Sequence, residues 1–188
     1  MRKQPEKPLI QYVTTIACSG RFKIEEVALR FSNGEERLYE RLKSSGREAV
    51  MIVPIIDGEV ILIQEYAVGA ERYTLGFPKG LIDEGETPFQ VASRELQEEI
   101  GFSASELNAL GRLTLAPSYF SSTMHIVVAE KLYESRLEGD EPEPLILHRC
   151  PLGSLLSLLE EHDFSEARNV SAQFMVREWL VKQGRLNY

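Results

Sequence analysis

The sequence predicts an α/β or α+β domain built around a central sheet and preceded by a small N-terminal antiparallel β-sheet. Short runs that alternate apolar and polar residues dominate the first part of the chain, whereas later apolar runs are interspersed with helix-like segments. The 188 residues suit one domain, or one domain with a small appendage. The change of pattern predicts a boundary near residue 46, with an N-terminal sheet over 1–46 and the main domain over 47–188.

The N-terminal sheet is predicted over residues 8–45. Its apolar–polar runs are separated by Ser19-Gly20 and by Asn33-Gly34. Asn-Gly is the strongest short signal for a β-hairpin, because both residues accept the positive φ angles of a tight turn. These residues therefore predict short antiparallel strands joined by turns.

The main domain begins with a second predicted hairpin, in which Asp57-Gly58 joins two strongly apolar runs. A loop rich in glycine and glutamate then leads into a helix. We interpret Arg168 and Asn169, which stand at the start of the last helix, as capping residues. The remaining elements are predicted as a loop over 76–86, a helix over 88–100, strands over 107–115 and 124–132, and helices over 151–160 and 165–183.

Composition narrows the classes of function. The net charge of −8 and the pI of about 5.1 disfavour a nucleic-acid-binding protein, which would carry a basic patch. No apolar run approaches the ~18 residues of a membrane span, and the N-terminus lacks the apolar stretch of a signal peptide. Cys18 and Cys150 do not form a disulfide framework, so a cytoplasmic location is expected.

The helix predicted over residues 88–100 has clear signals at both ends. Thr87 is a favourable N-cap, Pro88 occupies the first helical position and Gln90 completes a capping box. Gly101 supplies the C-terminal stop.

Three carboxylates, Glu95, Glu98 and Glu99, share one face of this helix. Each pair of like charges at this spacing destabilises a helix by about a few tenths of a kcal/mol. Clustered carboxylates without interleaved bases suit hard divalent cations, which prefer oxygen ligands. A solvated acidic face is the alternative that these residues alone leave open.

The spacing around the carboxylates resembles the Nudix box, G-x5-E-x7-R-E-U-x-E-E-x-G-U, where U is an apolar residue. Residues 80–102 read GLIDEGETPFQVASRELQEEIGF, and every defined position matches. The resemblance identifies a member of the Nudix hydrolase superfamily. It implies the Nudix fold, an α/β/α sandwich with a mixed sheet, and a loop–helix–loop that binds Mg²⁺ or Mn²⁺ against a substrate diphosphate.

The same resemblance implies a set of metal ligands. Glu95 and Glu99 correspond to the main ligands, Glu98 to an accessory one, and the backbone carbonyl of Lys79 to an additional one. Two or three ions would neutralise the diphosphate and lower the pKa of a bound water. These cations would also explain how an acidic protein handles an anionic substrate.

Two further positions of the box correspond to residues that orient the helix. Arg94 and Glu86 match the ion pair that holds the family's helix glutamates in place. The box glutamates Glu98 and Glu99 are also candidates to take the proton of the attacking water.

Features outside the box resemble the ADP-ribose pyrophosphatase branch of the family. Pro117 lies at the offset beyond the box that marks this branch, and the N-terminal sheet resembles the element that forms a homodimer and lines the nucleotide pocket there. The acidic loop at residues 137–145, LEGDEPEPL, matches a mobile loop with a catalytic glutamate. By that match Glu143, or failing it Glu141, is the candidate general base.

Five other residues are candidates for substrate contacts. Tyr66, Tyr119 and Phe120 are suited to stacking on adenine, with packing in the core as the alternative. Arg47 and Arg72 are suited to phosphates, with surface ion pairs as the alternative.

Nearly the whole chain resembles bacterial Nudix hydrolases of ADP compounds, including REAVMIVPI, GFPKGLIDEGE, APSYFSS and EARNVSAQFMVREWL. This implies hydrolysis of ADP-ribose, NADH and diadenosine polyphosphates, with AMP as the common product. Two departures favour a broad ADP-X preference over strict ADP-ribose specificity. Ala67 follows Tyr66 where an arginine is usual, and the box is entered through GFPKG where ELPAG is usual.

Two alternative functions remain open at this point. The first is a Nudix enzyme with another substrate, such as a nucleotide sugar or a capped RNA end, or an isomerase. The second is a non-catalytic module that senses ADP-ribose or NAD. The complete set of box glutamates favours hydrolysis.

Overall fold

The computed structural model describes residues 5–20, 22–43 and 46–187. The chain divides into two compact units. The first comprises Met1–Arg47 with Thr114–Thr123, and the second comprises Glu48–Leu113 with Met124–Tyr188. No helix in the described part of the chain is long and apolar enough to span a membrane.

The first unit is an antiparallel sheet of three strands. Strand β2 pairs with β1 on one side and β3 on the other, and Gly34 takes a φ of 88° in the turn between β2 and β3. At the end of β3, Leu42 pairs with Phe120 from the tip of a later hairpin. The strands are β1 (Leu9–Cys18), β2 (Lys23–Arg30) and β3 (Glu36–Lys43).

Strand β1 exposes large apolar side chains. Every residue of β1 is exposed, whereas β2 buries Val27 and Ala28. The buried Glu25 accepts hydrogen bonds from Arg41 and pairs with Lys23, and these cations lower its pKa. The exposed apolar side chains of the sheet are Leu9, Ile10, Tyr12, Val13, Ile16, Leu38 and Tyr39.

The second unit contains the mixed sheet. Strand β4 lies parallel to β9 and antiparallel to β5 and β7, while β5 also pairs with β6 and β10. The predicted Asp57-Gly58 turn joins β4 and β5, with both residues at positive φ. The strands are β4 (Ala49–Ile56), β5 (Glu59–Ala67), β6 (Arg72–Gly76), β7 (Lys79–Leu81), β8 (Phe102–Ala116), β9 (Phe120–Glu134) and β10 (Ile146–Pro151).

Two helices cover the sheet of the second unit. Helix α1 (Pro88–Glu95) packs its buried Val91 and Ala92 into one core cluster with Val50 and Ile52 of β4. Met51 and Val53 alternate to the other face of β4, and helix α2 (Ala167–Lys182) also contacts this strand. Together with the N-terminal antiparallel strands, this arrangement confirms the predicted architecture.

The helix predicted over residues 88–100 is not α-helical throughout. Its start is as predicted, because Thr87 and Gln90 form a reciprocal capping box. The last turn, Leu96–Ile100, is a π-helix in which the Gly101 N–H bonds to the Leu96 carbonyl. The Gln97 carbonyl, which an α-helix would have paired with that N–H, accepts the N–H of Leu137.

Several other boundaries differ from the prediction. The strands expected over 107–115 and 124–132 are longer in the structure. Strands β8 and β9 pair with each other as a hairpin, and this pairing continues through weakly apolar residues that the pattern did not mark as strand. The short helix expected over 151–160 is a 3₁₀ segment, Leu152–Glu160. Strands β6, β7 and β10 were not predicted, because glycine and charged residues interrupt their apolar pattern.

The interpretation of Asn169 as a capping residue is wrong. Glu166 is the N-cap of α2 and accepts the Asn169 N–H at 3.0 Å. The buried Asn169 side chain instead accepts the N–H of Phe77 at 2.7 Å and donates to Glu166 at 2.9 Å. A Cβ at Gly76 would lie 2.8 Å from its amide nitrogen, so glycine makes this close approach possible.

Replacing Asn169 with alanine should destabilise the protein, because it leaves the buried N–H of Phe77 without an acceptor. We expect the free energy of unfolding to fall by about 1–3 kcal/mol, the usual cost of such a group. Urea unfolding followed by circular dichroism measures this. The matched control is Ser171→Ala, which removes one hydroxyl on the same helix, bonded to the Ala167 carbonyl, and should change stability by less than about 0.5 kcal/mol. Equal effects of the two substitutions would contradict this account of Asn169.

Candidate active site

The three box carboxylates lie where α1 passes into its π-helical turn. Glu95 is the last residue of α1 and only 8% exposed, while Glu98 and Glu99 are partly buried in the turn. The backbone N–H of Lys79, in β7, donates to a Glu99 carboxylate oxygen at 3.2 Å. The helix therefore presents its carboxylates to the loop that carries β7.

Burial places these carboxylates in an unusual electrostatic state. Loss of hydration raises the pKa of Glu95 to about 7, although the neighbouring Arg94 opposes this. Loss of hydration raises the pKa of Glu99 to about 8, and the negative charges of Glu95 and Glu141 add to the effect. A nearby cation would favour the charged forms of these groups.

Arg94 connects the helix to the preceding loop. Its guanidinium donates to Glu86 at 3.2 Å, to Glu95 at 2.7 Å and to Glu98 at 3.0 Å. Glu86 also accepts the backbone N–H of Asp83 at 2.9 Å, and its pairing with Arg94 lowers its pKa. One arginine thus holds two helix carboxylates and one loop carboxylate in fixed relative positions.

Gly80 permits the closest approach in the site. A Cβ built at Gly80 would overlap the carboxylate and the Cγ of Glu95. Only a residue without a side chain therefore allows the Glu95 carboxylate to lie against the β7 backbone. This contact gives the first glycine of the box a direct steric role.

Across residues 5–20, 22–43 and 46–187, no three acidic, histidine or cysteine side chains converge as a ready-made metal site. The box carboxylates are turned toward Arg94 and the Lys79 N–H. Their chemistry still suits a hard divalent cation, since all of them are oxygen donors and burial raises the pKa of Glu95 and Glu99 when no cation is near. The donor set and the Gly80 cradle therefore fit a divalent metal.

The acidic loop lies beside these carboxylates. Glu141 and Glu143 line a cavity of about 350 Å³ together with Glu98 and Glu99. Glu141 is partly buried and folds against Gly139, whereas the exposed Glu143 accepts a hydrogen bond from the Tyr73 hydroxyl at 2.6 Å. The structure thus brings both predicted loop glutamates to the site, but in different surroundings.

A second cavity of about 200 Å³ is lined in part by Lys79. Tyr66 contributes to its wall and packs edge-to-face on Tyr73, with ring centroids 5.4 Å apart. Lys79 forms an ion pair with Glu65, which also lines this cavity. The further lining residues are Ile63, Ala67, Thr74, Gly76, Glu166, Arg168 and Asn169.

The remaining predicted substrate residues are Arg47, Arg72, Tyr119 and Phe120. The Arg72 guanidinium is engaged by His162 at 2.5 Å and by Ser165 at 3.0 Å, so its hydrogen-bonding capacity is largely used within the protein. Arg47, Tyr119 and Phe120 belong to the first compact unit. Tyr119 is exposed in the turn between β8 and β9, and Phe120 begins β9.

Sequence reasoning missed two residues that the structure places at the site, Tyr73 and Glu65. Tyr73 lies opposite Tyr66 in the β5–β6 pair, and this pairing could have been found only by recognising β6. Glu65 is adjacent to Tyr66 in sequence, but its link to Lys79 depends on how β7 folds back. Both residues were missed because the apolar pattern did not predict β6 and β7, the strands that bring them to the site.

Comparisons with known proteins agree with this geometry. The NUDIX domain family matches residues 46–183, and the NudE-type Nudix hydrolase N-terminal domain family matches residues 8–41. The chain is 59% identical to the ADP compounds hydrolase NudE of Escherichia coli (strain K12) over 186 residues, which cover 99% of this chain and 100% of that protein. It is 30% identical to the ADP-ribose pyrophosphatase of Bacillus subtilis (strain 168) over 151 residues, which cover 79% and 80% of the two chains.

Among solved structures, a crystal structure of an ADP compounds hydrolase superposes with a TM-score of 0.94 at 59% sequence identity. The match covers 98% of this chain and 100% of that chain.

Proposed function

The chain belongs to the Nudix hydrolase family, and from this premise we propose that it hydrolyses the pyrophosphate bond of ADP-X compounds and releases AMP. ADP-ribose, NADH and diadenosine polyphosphates are the proposed substrates. The observation that carries this proposal is the likeness to an ADP compounds hydrolase along the whole chain, including the N-terminal segment as well as the box. The complete set of box glutamates favours catalysis over a purely ligand-sensing role.

Glu95 and Glu99 are the proposed main ligands of a divalent metal, Mg²⁺ or Mn²⁺, and Glu98 is the accessory one. The burial of Glu95 and its approach to Gly80 support this assignment, as does the position of Glu99 against the Lys79 backbone. We propose the Lys79 carbonyl as an additional ligand and two or three ions with substrate. When bound, such ions neutralise diphosphate charge and lower the pKa of a coordinated water.

Arg94 and Glu86 are proposed to orient the ligands. Arg94 already binds Glu95 and Glu98, and its bond to Glu86 ties the helix to the loop before it. Without this arginine, the like-charged carboxylates would repel one another and lose their common orientation.

The proposed reaction is attack of water on a phosphorus of the diphosphate. The oxygen–phosphorus bond forms as the bridging P–O bond breaks, and the proton of the water passes to a carboxylate. The candidate bases are the loop residues Glu141 and Glu143 and the box residues Glu98 and Glu99, all of which line one cavity. With ADP-ribose the products are AMP and ribose 5-phosphate.

For substrate binding we propose the aromatic candidates Tyr66, Tyr119 and Phe120, and Arg47 for phosphate contacts. Tyr66 has support from its place in the wall of the second cavity, and half of its surface is available for stacking. Arg72 has less support, because its guanidinium is bound to His162 and Ser165.

A panel of substrates tests the proposed function. The protein would be incubated with Mg²⁺ and ADP-ribose, NADH, diadenosine triphosphate or GDP-mannose, and the products separated by chromatography. We expect AMP from the adenosine compounds and no product when EDTA is present. Turnover of GDP-mannose alone would contradict the substrate class. Tight binding of ADP-ribose without turnover of any compound would favour the sensing module.

Replacing Glu99 with glutamine tests the metal assignment. The amide keeps the size of the side chain but removes the charged oxygen donor, so we expect kcat to fall by about 10²–10³-fold, comparable to the loss of a major electrostatic group. The melting temperature should be unchanged or higher, because glutamine avoids the cost of ionising a buried carboxyl group. The matched control is Glu84→Gln, an exposed glutamate of the same loop–helix segment outside the defined positions of the box. Turnover like that of the wild type in Glu99→Gln would exclude Glu99 as a ligand.

We also propose that residues 1–46 form a dimerisation and nucleotide-pocket element, that residues 47–188 form the hydrolase domain, and that the protein is a homodimer. The exposed apolar residues of β1 support this, since a row of such side chains is typical of a contact surface. Light scattering should give twice the mass of the 21.3 kDa chain. Ile10→Glu together with Val13→Glu should give the monomer mass, and a wild-type monomer would refute the proposal.

A further inference from the structure

We propose that Tyr73 and Glu143 form a latch that holds the acidic loop, residues 137–144, with Glu141 facing the box carboxylates. In this assignment Tyr73 is a positioning residue, Glu143 is its partner, and Glu141 is the loop carboxylate left for the reaction. The catalytic part of the proposal rests on the proposed hydrolase function, whereas the latch itself does not.

In the described part of the chain, the middle of the loop makes a single hydrogen bond, that of the latch. Among the described residues, the Tyr73–Glu143 bond at 2.6 Å is the only hydrogen bond or ion pair formed by residues 138–144. The loop contains two prolines, Pro142 and Pro144, which lack the N–H needed for a regular ladder of hydrogen bonds. Its position therefore depends on this one contact and on its two ends.

Both ends of the loop are fixed. Before it, the Ser135 N–H bonds to the Gly101 carbonyl and the Leu137 N–H bonds to the Gln97 carbonyl, each at 3.1 Å. After it, Leu145 packs against the main core cluster. The bonds to Gly101 and Gln97 tie the start of the loop to the turn that carries Glu98 and Glu99, so loop and carboxylates share one support.

Tyr73 is well placed to hold the middle of the loop. It lies in β6, directly opposite Tyr66 of β5, and the two rings pack edge-to-face at 5.4 Å. The strand pair and the ring contact fix the direction of the Tyr73 hydroxyl. Its partner, Glu143, lies 70 residues further along the chain. A rigid strand thus restrains a loop that has few contacts of its own.

The two loop glutamates differ in a way that assigns their roles. Glu143 is exposed and occupied by the tyrosine hydroxyl. Glu141 is partly buried, forms no hydrogen bond or ion pair among the described residues, and lines one cavity with Glu98 and Glu99. The Glu141 carboxylate is therefore available at the site, whereas that of Glu143, which lines the same cavity, is engaged by the tyrosine hydroxyl.

The first experiment measures the latch without catalysis. Hydrogen–deuterium exchange of the full-length protein without substrate would compare wild type, Tyr73→Phe and Tyr133→Phe. Tyr73→Phe keeps the ring against Tyr66 and removes only the hydroxyl, so the amides of Ser135 and Leu137, whose hydrogen bonds anchor the start of the loop, should exchange about tenfold faster, with no change elsewhere. Tyr133→Phe removes an exposed hydroxyl that has no hydrogen-bond partner in the described structure and should have no effect. Unchanged exchange in Tyr73→Phe would overturn the latch, whether or not the protein proves to be a hydrolase.

The second experiment separates the two glutamates by steady-state kinetics with ADP-ribose and Mg²⁺. We expect Tyr73→Phe and Glu143→Ala each to lower kcat about tenfold at nearly constant KM, and the double variant to be no worse, since both remove one interaction. Glu143→Gln retains an acceptor for the tyrosine and should recover most of the kcat that Glu143→Ala loses. Glu141→Gln should lose about 10²-fold or more, as expected for a proton acceptor.

The opposite kinetic pattern would overturn the assignment. If Glu143→Gln is as inactive as Glu143→Ala while Glu141→Gln is active, Glu143 itself reacts. If the losses in Tyr73→Phe and Glu143→Ala multiply in the double variant, the two residues act independently. A wild-type protein without turnover would contradict the proposed function, and the exchange experiment would still decide the latch.

Discussion

The constraint on which the rest of the structure depends is the burial of like charges at one end of a helix. Glu95 and Glu99 are withdrawn from water beside a third carboxylate, and burial raises the pKa of each. A protein keeps such groups together only when something compensates for their lost hydration and mutual repulsion. Here Arg94 and the Lys79 N–H compensate in part. The part of this cost that remains uncompensated explains why the site is suited to a divalent cation. A bound cation would in turn make the acidic chain suited to an anionic substrate.

The fold serves this constraint through three backbone features. Gly80 lets β7 pass close to Glu95, because a side chain at this position would occupy the carboxylate's place. The π-helical turn frees the Gln97 carbonyl, which then accepts the N–H of Leu137 and fixes the start of the acidic loop. The core behind α1, formed with Val50 and Ile52, holds the helix rigidly against the sheet. π-Turns are frequent at functional sites for this reason, since an added residue redirects side chains and exposes backbone groups.

Much of this arrangement could be predicted from the sequence, and the exceptions have physical causes. The capping signals at Thr87 and Gln90 were local, so the start of α1 was predicted correctly. The box spacing predicted the family, which the matches along the chain confirm. The π-turn was not predicted, because it depends on a hydrogen bond from Leu137, far away in the chain. Asn169 was misinterpreted for the same reason: its partner, the Phe77 N–H, lies 92 residues away. Such tertiary contacts leave no periodic pattern in the sequence.

The same electrostatics explain why the acidic loop is held so lightly. Bringing Glu141 toward Glu95 and Glu99 adds a negative charge to a site that already disfavours charge, as the raised pKa values of both groups show. The loop therefore gains nothing from the bare carboxylates and needs support from outside the site, which Tyr73 supplies through Glu143. A stronger attachment would oppose exchange of substrate and products, because the loop lines the cavity through which Glu98 and Glu99 are reached. One hydrogen bond from a rigid strand is enough to bias the loop toward the site while leaving it free to open.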